Sequence, residues 1–275
     1  MTLSVVIITH NEEANLGRTL ESVMPLVCDG KGEIIVVDDG STDHTVEIAQ
    51  SFGAKVFVEE WKGYAAQKNS AIDKATGDWI LSLDADEELE HNLATLILHT
   101  TSEREPHPRQ ELLTAMGARV PRADVSGYWI RRRNKFMGRW IEHGGYWPDQ
   151  KLRLFRGNAG NFEDRLVHED VHVEAKTGRL LNGALIHHSY PTLSDYIDHM
   201  NRYSSLGAEM IVAKGKVRFS FVNIVLRPLA TFTYNYFFRL GFLDGREGLL
   251  LHMYHAVYVS WKYAKAWELS RRKET

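Results

Sequence analysis

The sequence predicts an α/β protein, a largely parallel sheet covered by helices with a helical region after it, and three observations carry this. Short apolar runs rich in β-branched residues at 3–8, 34–37, 55–58 and 79–83 alternate with helical patterns, the rhythm of βαβ units. Three of those runs end in polar loops that carry carboxylates. From Ser194 onward the strand signals stop and the spacing becomes helical. The expected organisation is an α/β domain over 1–190 and a helical region over 191–275.

Residues 3–8 form a continuous apolar strand, followed by the loop Thr9-His10-Asn11-Glu12-Glu13 and a helix that turns Leu16, Leu20 and Val23 inward and closes at Pro25. The unit repeats: strand 34–37, loop Asp38-Asp39-Gly40-Ser41-Thr42-Asp43, and a helix through Val46, Ile48 and Ala49 capped by Thr42 or Asp43. A third strand at 55–58 leads to an Ala-rich helix over 64–76. The fourth strand, 79–83, runs into Asp84-Ala85-Asp86. In open sheets of this kind ligands sit beyond the carboxyl ends of the strands, so the three loops should share one rim.

Asp84 and Asp86 are two apart at a strand end and project to one side. Two bare carboxylates there repel each other, and a hard cation such as Mg2+ or Mn2+ resolves the conflict. A lone Asp-x-Asp is more often a solvated turn, so the neighbouring loops supply the weight. No G-x-G-x-x-G follows the first strand, and Gly30-Lys31-Gly32 precedes a strand, where it cannot cradle a pyrophosphate before a helix.

The net charge of -3 hides an asymmetry: residues 1–100 carry 6 Lys and Arg against 18 Asp and Glu, and residues 214–275 carry 11 against 4. An acidic front argues against nucleic acid as a partner. A basic, aromatic tail suits an anionic membrane surface. The single cysteine, Cys28, excludes an internal disulfide and a cysteine metal cage. The amino terminus reads as a strand and not a signal peptide, so the expected location is cytoplasmic, at the cytosolic face of a membrane if the tail makes that contact.

Residues 99–127 are polar and hold Pro106, Pro108 and Pro121; they read as a loop with no assigned function. Residues 127–156 are dense in Trp, Tyr and Arg. Aromatic faces and forked guanidinium groups bind sugars and anionic groups, which makes Arg133, Arg139, Trp140, Trp147 and Arg153 candidates for a sugar- or anion-binding face, against the plainer reading of a β-ribbon with a solvated basic face. His168-Glu169-Asp170-Val171-His172 matches the H-E-x-x-H zinc signature, which works on a helix; here the alternation is that of a strand. Residues 219–238 are strongly apolar but interrupted by Arg227 and Pro228, so no membrane span follows. The closing Trp261 to Trp267 and Arg271-Arg272-Lys273 mix aromatic and basic residues as interfacial helices do.

Val-Val-Ile-Ile-Thr-His-Asn-Glu, Val-Val-Asp-Asp-Gly-Ser-Thr-Asp and Leu-Ser-Leu-Asp-Ala-Asp-Glu together resemble the motifs of family 2 glycosyltransferases with the GT-A fold. The 127–156 segment resembles the subgroup that adds a β-linked glucose to the inner core of lipopolysaccharide. The resemblance implies that 1–100 is a nucleotide-sugar half and 127–190 an acceptor half. It places Thr9, His10, Asn11, Glu12, Asp39, Lys68, Asp84, Ala85 and Asp86 on a UDP-sugar donor, with Mg2+ or Mn2+ on Asp86 and Asp84. It also puts a Val-His-Glu near 167–169, where an inverting enzyme needs a carboxylate base: Glu169 first and Asp170 second. His168 and His187 are candidates to complete the metal shell, although a structural histidine is the commoner role for each. The expected acceptor is a glycolipid or oligosaccharide. A sugar nucleotidyltransferase or a non-catalytic carbohydrate-binding subunit are the rival readings.

Overall fold

A computed structural model describes residues 2–30, 32–101, 125–157, 159–163 and 171–272. The described residues form two compact units: one runs to Arg132 and adds 150–163 and 171–187, and the other combines Arg133–Asp149 with the chain from His188 onward.

The first unit is built on β1 (Leu3–Thr9), β2 (Gly32–Asp38), β3 (Lys55–Val58) and β4 (Trp79–Asp84). They pair in parallel in the order β3-β2-β1-β4, as the alternation of strand and helix predicts. The sheet continues past β4 with strands that the sequence did not resolve singly. β5 (Glu87–Leu89), β6 (Gly127–Phe136), β7 (Arg139–Ile141), β8 (Asp149–Arg156) and, after the short hairpin β9 (Gly160–Phe162) and β10 (Val171–Val173), β11 (Thr177–Tyr190) complete the set. The main sheet has nine strands, with order β3-β2-β1-β4-β8-β6-β11-β5 and β7 beside β6. β8 is antiparallel to β4, and β5 to β11, so the sheet is mixed.

Side-chain alternation along the parallel strands divides the core. Val5, Ile7, Val36, Leu81 and Leu83 face α1 (Leu16–Val27) and α4 (His91–Thr101), meeting Leu16, Leu20, Val23, Leu93 and Ile97. Val6, Ile35, Val37 and Ile80 pack on the other side with Ala65, Ala71 and Ile72 of α3 (Tyr64–Asp73). The strands are therefore buried on both faces, which is why they read as unbroken apolar runs. Two local expectations shift. Pro25 lies inside α1 and does not end it; in the last turn the missing N–H forfeits one bond only, and the chain closes with Cys28 N donating to Met24 O. Helix α2 (Thr45–Ser51) starts one residue after His44, and Asp43 Oδ1 accepts from Thr45 N at 3.0 Å. The polar stretch at 99–127 begins inside α4, which runs to Thr101, and 102–124 lie outside the described residues.

In the second unit, β7 pairs antiparallel with the end of β6 through the two-residue turn Met137-Gly138, both at positive φ (49° and 83°), the backbone that a tight hairpin needs. Helix α5 (Leu193–Ala213) opens on a capping box between Thr192 and Asp195. Residues 222–226 and 234–238 form π-helical turns around α6 (Arg227–Thr233), and the long α7 (Gly245–Arg272) packs along α5. Phe136, Ile141, Tyr196 and Leu251 form the local core. Among the described residues no helix is long and apolar enough to cross a membrane.

Leu81, fully buried at the centre of β4, tests this packing. Leu81→Ala is expected to lower the unfolding free energy by about 2–5 kcal/mol, read as an earlier midpoint in urea denaturation with an unchanged slope.

Candidate active site

The register of the parallel strands sets the rim. Thr9 is the partner of Asp38 across β1 and β2, and Ile8 is the partner of Asp84 across β1 and β4. The loops that follow these strands therefore leave the sheet side by side. Thr9 Oγ1 donates to Asp38 Oδ1 at 3.0 Å, and Asp38 also accepts from Ser41 N and Oγ at 2.8 and 2.5 Å. Buried Asp38 thus organises the turn, and the more exposed Asp39 carries the free face. His10 Nδ1 lies 2.8 Å from Asp39 O. Asn11, at φ 54°, accepts from Thr42 N through Oδ1 at 2.8 Å and donates its own N–H to Ser41 Oγ at 2.8 Å. Asparagine tolerates that left-handed backbone better than most residues. Glu12 N donates to Thr45 Oγ1 at 2.7 Å, and its carboxylate accepts from Asn15 Nδ2 at 2.9 Å. Burial pushes the Glu12 carboxyl up; the Asn15 bond opposes this, and the Asp86, Asp43 and Asp84 charges add to it.

Asp84 is flanked by cations. Lys68 Nζ, from α3, lies 2.7 Å from Oδ1, and Arg153 Nη2, from β8, lies 2.5 Å from Oδ2. The same Arg153 nitrogen reaches Glu87 Oε1 at 2.8 Å, where Arg132 Nη1 also binds at 3.0 Å. Glu87 Oε2 accepts from Asp84 N at 3.0 Å. Burial alone would favour a neutral Asp84, but Arg153 and Lys68 override it and hold the carboxyl well below the usual carboxylate range. Arg153, expected among the acceptor residues, is buried and belongs to the carboxylate network. Ala85, expected against the donor, turns its methyl group into the core, and its carbonyl accepts from Thr19 Oγ1 at 2.6 Å; consecutive residues at a strand end face opposite ways.

Asp86 stands on the same side as Asp84 with a different partner. The antiparallel pairing of β5 with β11 sets His187 opposite Glu87, and His187 Nε2 lies 3.2 Å from Asp86 Oδ2. Burial works against ionisation of Asp86, and His187 more than offsets it, so the carboxyl is held below its ordinary value. Among the described residues no three His, Cys, Asp or Glu side chains gather as a metal cluster. Asp86 with His187 is a two-donor set, and a small hard cation that keeps substrate phosphate oxygens and water in its shell fits such a set. The Asp84 charge still opposes ionisation of Asp86, while Lys68 and Arg153 compensate Asp84 itself.

In the second unit, the Arg133 guanidinium lies 4.7 Å from the Trp140 ring centre and 5.8 Å from that of Trp147, and Nη2 donates to Glu142 Oε1 at 2.7 Å. Arg139 is exposed and reaches Leu243 O at 3.4 Å. Three of the expected acceptor residues, Arg133, Trp140 and Trp147, thus form one cluster. Glu169 and Asp170 lie outside the described residues. The described half of the zinc-like motif, Val171 and His172, is in strand β10, which removes the helix that a zinc protease needs.

A helix-covered sheet with parallel strands ending in acidic loops, continued by antiparallel strands that carry the basic partners of those acids, defines a GT-A glycosyltransferase. The chain belongs to glycosyl transferase family 2: residues 4–106 match the model of that description. It is 31% identical to the lipopolysaccharide core biosynthesis glycosyltransferase LpsC of Rhizobium meliloti over 98% of this chain and 93% of that one. An uncharacterized glycosyltransferase of Rickettsia typhi is 31% identical over 98% and 87% of the two chains. A mannosyltransferase from Pyrobaculum calidifontis shares the fold, with a TM-score of 0.53 at 15% identity over 96% of this chain and 86% of that one. The protein is a glycosyltransferase enzyme, and the nucleotidyltransferase and non-catalytic readings are set aside.

The network predicts its own pH dependence. A carboxyl depressed in the fold stabilises it fully above the unfolded value, about 3.9 for aspartate, and that contribution is lost as pH falls through the lowered folded value. Urea unfolding is expected to show stability that declines below about pH 4. Arg153→Met should cost about 3 kcal/mol at neutral pH, because buried Glu87 and half-buried Asp84 lose a shared partner.

Proposed function

We propose that this enzyme moves a hexose, with glucose the expected sugar, from a UDP-sugar to a glycolipid acceptor of the lipopolysaccharide-core type. The reaction is a single displacement with inversion, dependent on a divalent metal. The observation that carries the reading is the division of labour at the rim: Asp84 is held by Lys68 and Arg153, and Asp86 with His187 keeps a donor pair for a cation. The name of the Rhizobium relative supports a lipopolysaccharide-core acceptor. The mannosyltransferase of like fold was solved with GDP-mannose and Mn2+.

In this reading the Thr9 to Glu12 loop and Asp39 hold the base and ribose. Asp84, oriented by its two cations, faces the ribose side. Asp86 and His187 would hold Mg2+ or Mn2+, which when bound offsets charge developing on the departing diphosphate. Glu169 takes the proton of the acceptor hydroxyl as that oxygen attacks the anomeric carbon, with Asp170 as the second choice. Arg133 with Trp140 and Trp147 offers aromatic faces and a cation to an acidic or phosphorylated acceptor sugar. An acceptor of this kind places the enzyme at the cytosolic face of the inner membrane.

Released nucleoside diphosphate, measured across a panel of donors with and without chelator, tests the reading. UDP-glucose is expected to be consumed with release of UDP, and chelator is expected to stop it; a preferred donor of another base or chelator-resistant turnover overturns the corresponding assignment. Asp86→Ala is expected to lower turnover by about a hundredfold or more. Glu169→Gln should keep UDP binding and lose transfer. Full activity in Glu169→Gln would move the base elsewhere.

A further inference from the structure

We infer that residues 214–243, which reach the aromatic end of α7 through Phe219 on Trp267 and Arg227 on Tyr263, form a monotopic docking face for an anionic bilayer. Most of the large apolar side chains left exposed among the described residues fall between Phe219 and Met253, including Phe221 at 58%, Leu229 at 61% and Phe238 at 76%. Large apolar side chains exposed in such number along one stretch of chain mark an interaction surface.

The charge of the segment selects the partner. From Lys214 to Leu243 the chain holds Lys214, Lys216, Arg218, Arg227 and Arg239 and no Asp or Glu. All five side chains belong to exposed residues. A two-fold contact between copies would set this patch against itself, placing cation against cation with no acid in the segment to relieve it. A bilayer of anionic lipid answers both features, with acyl chains for the aromatic and leucine side chains and headgroups for the cations. No described helix can span a membrane, so the segment lies on the surface. Its pattern suits this: exposed Val222, Val225, Leu226 and Leu229 recur at i, i+3, i+4 and i+7 through the π-helical turn and α6, the spacing of one apolar helix face.

The inference gives the lipid-linked acceptor of the proposed function a place to be met, and its test does not depend on that function. Full-length protein is floated with vesicles of phosphatidylglycerol and phosphatidylcholine, or of phosphatidylcholine alone, at low and high salt. Wild type is expected to float with the anionic vesicles and to be released by salt. Lys216→Glu with Arg218→Glu should lower partitioning by roughly tenfold or more. The triple change Phe221→Ser, Leu229→Ser and Phe238→Ser should lower it by roughly a hundredfold, with an unfolding midpoint no lower than that of wild type, since these side chains are exposed. A wild type that stays unbound at low salt overturns the inference. So does a triple variant that floats as wild type does, or a wild-type dimer that the triple change splits, which would assign the face to a second copy. UDP titration reads the donor site separately: flotation without UDP binding keeps the docking face and overturns the donor assignment, and UDP binding without flotation does the reverse.

Discussion

The ion-pair network around Asp84 and Glu87 is the constraint on which the rest of the site depends. Removing a carboxylate from water costs several kcal/mol even after relaxation, and Glu87 is fully buried. The cost is met because the oxygens find partners. Glu87 Oε1 takes both Arg132 and Arg153, Oε2 takes the Asp84 N–H, and Asp84 takes Lys68 on one oxygen and Arg153 on the other. Those partners come from α3, β6 and β8, so one cluster of charges pins three elements to the carboxyl end of β4. Few apolar contacts could do this with equal directional precision, since a guanidinium fork and a carboxylate fix angle as well as distance.

The network also determines what Asp86 can do. Asp84 is held between two cations, so its charge, which still opposes ionisation of Asp86, is largely compensated. His187, brought alongside by the β5 and β11 pairing, pairs with it at 3.2 Å. A histidine can give way to a cation at Asp86 far more readily than a lysine or an arginine can, because the neutral imidazole is itself a metal ligand. Two carboxylates that look equivalent in the sequence are thereby given different chemistry by the strands that pass them.

The parallel half of the fold was legible because its strands are buried on both faces and therefore write themselves as unbroken apolar runs: Val5, Val6 and Ile7 all lie inside. The rim followed from architecture alone, since parallel strands deliver their loops to one edge. The basic half was not legible at the level of single residues. Arg131, Arg132, Arg133 and Arg153 read as one cationic ribbon, but side chains alternate along a strand: Arg132 turns to Glu87, and Arg133 turns to Trp140 and Glu142. Composition reports how many arginines a segment has, and only register reports which carboxylate each one meets. Lys68, which the resemblance sets on the donor, lies buried on α3 and is paired with Asp84. The His187 pairing depends on the β11 register and had no sequence signal beyond the residue type.

The charge asymmetry between the two ends of the chain takes on physical meaning from these contacts. The acidic front is compensated internally around β4, because strands contributed by later sequence supply Arg132 and Arg153 to Glu87 and Asp84. The basic stretch from Lys214 to Leu243 contains no acid of its own, and its apolar side chains remain exposed. Exposed arginines beside exposed phenylalanines are stable in water only at the expense of apolar hydration, and the sequence retains both together across some thirty residues. A surface with hydrocarbon beneath and negative charge above satisfies the two at once, whereas an acidic protein partner would satisfy the cations and leave the aromatic rings to be covered separately.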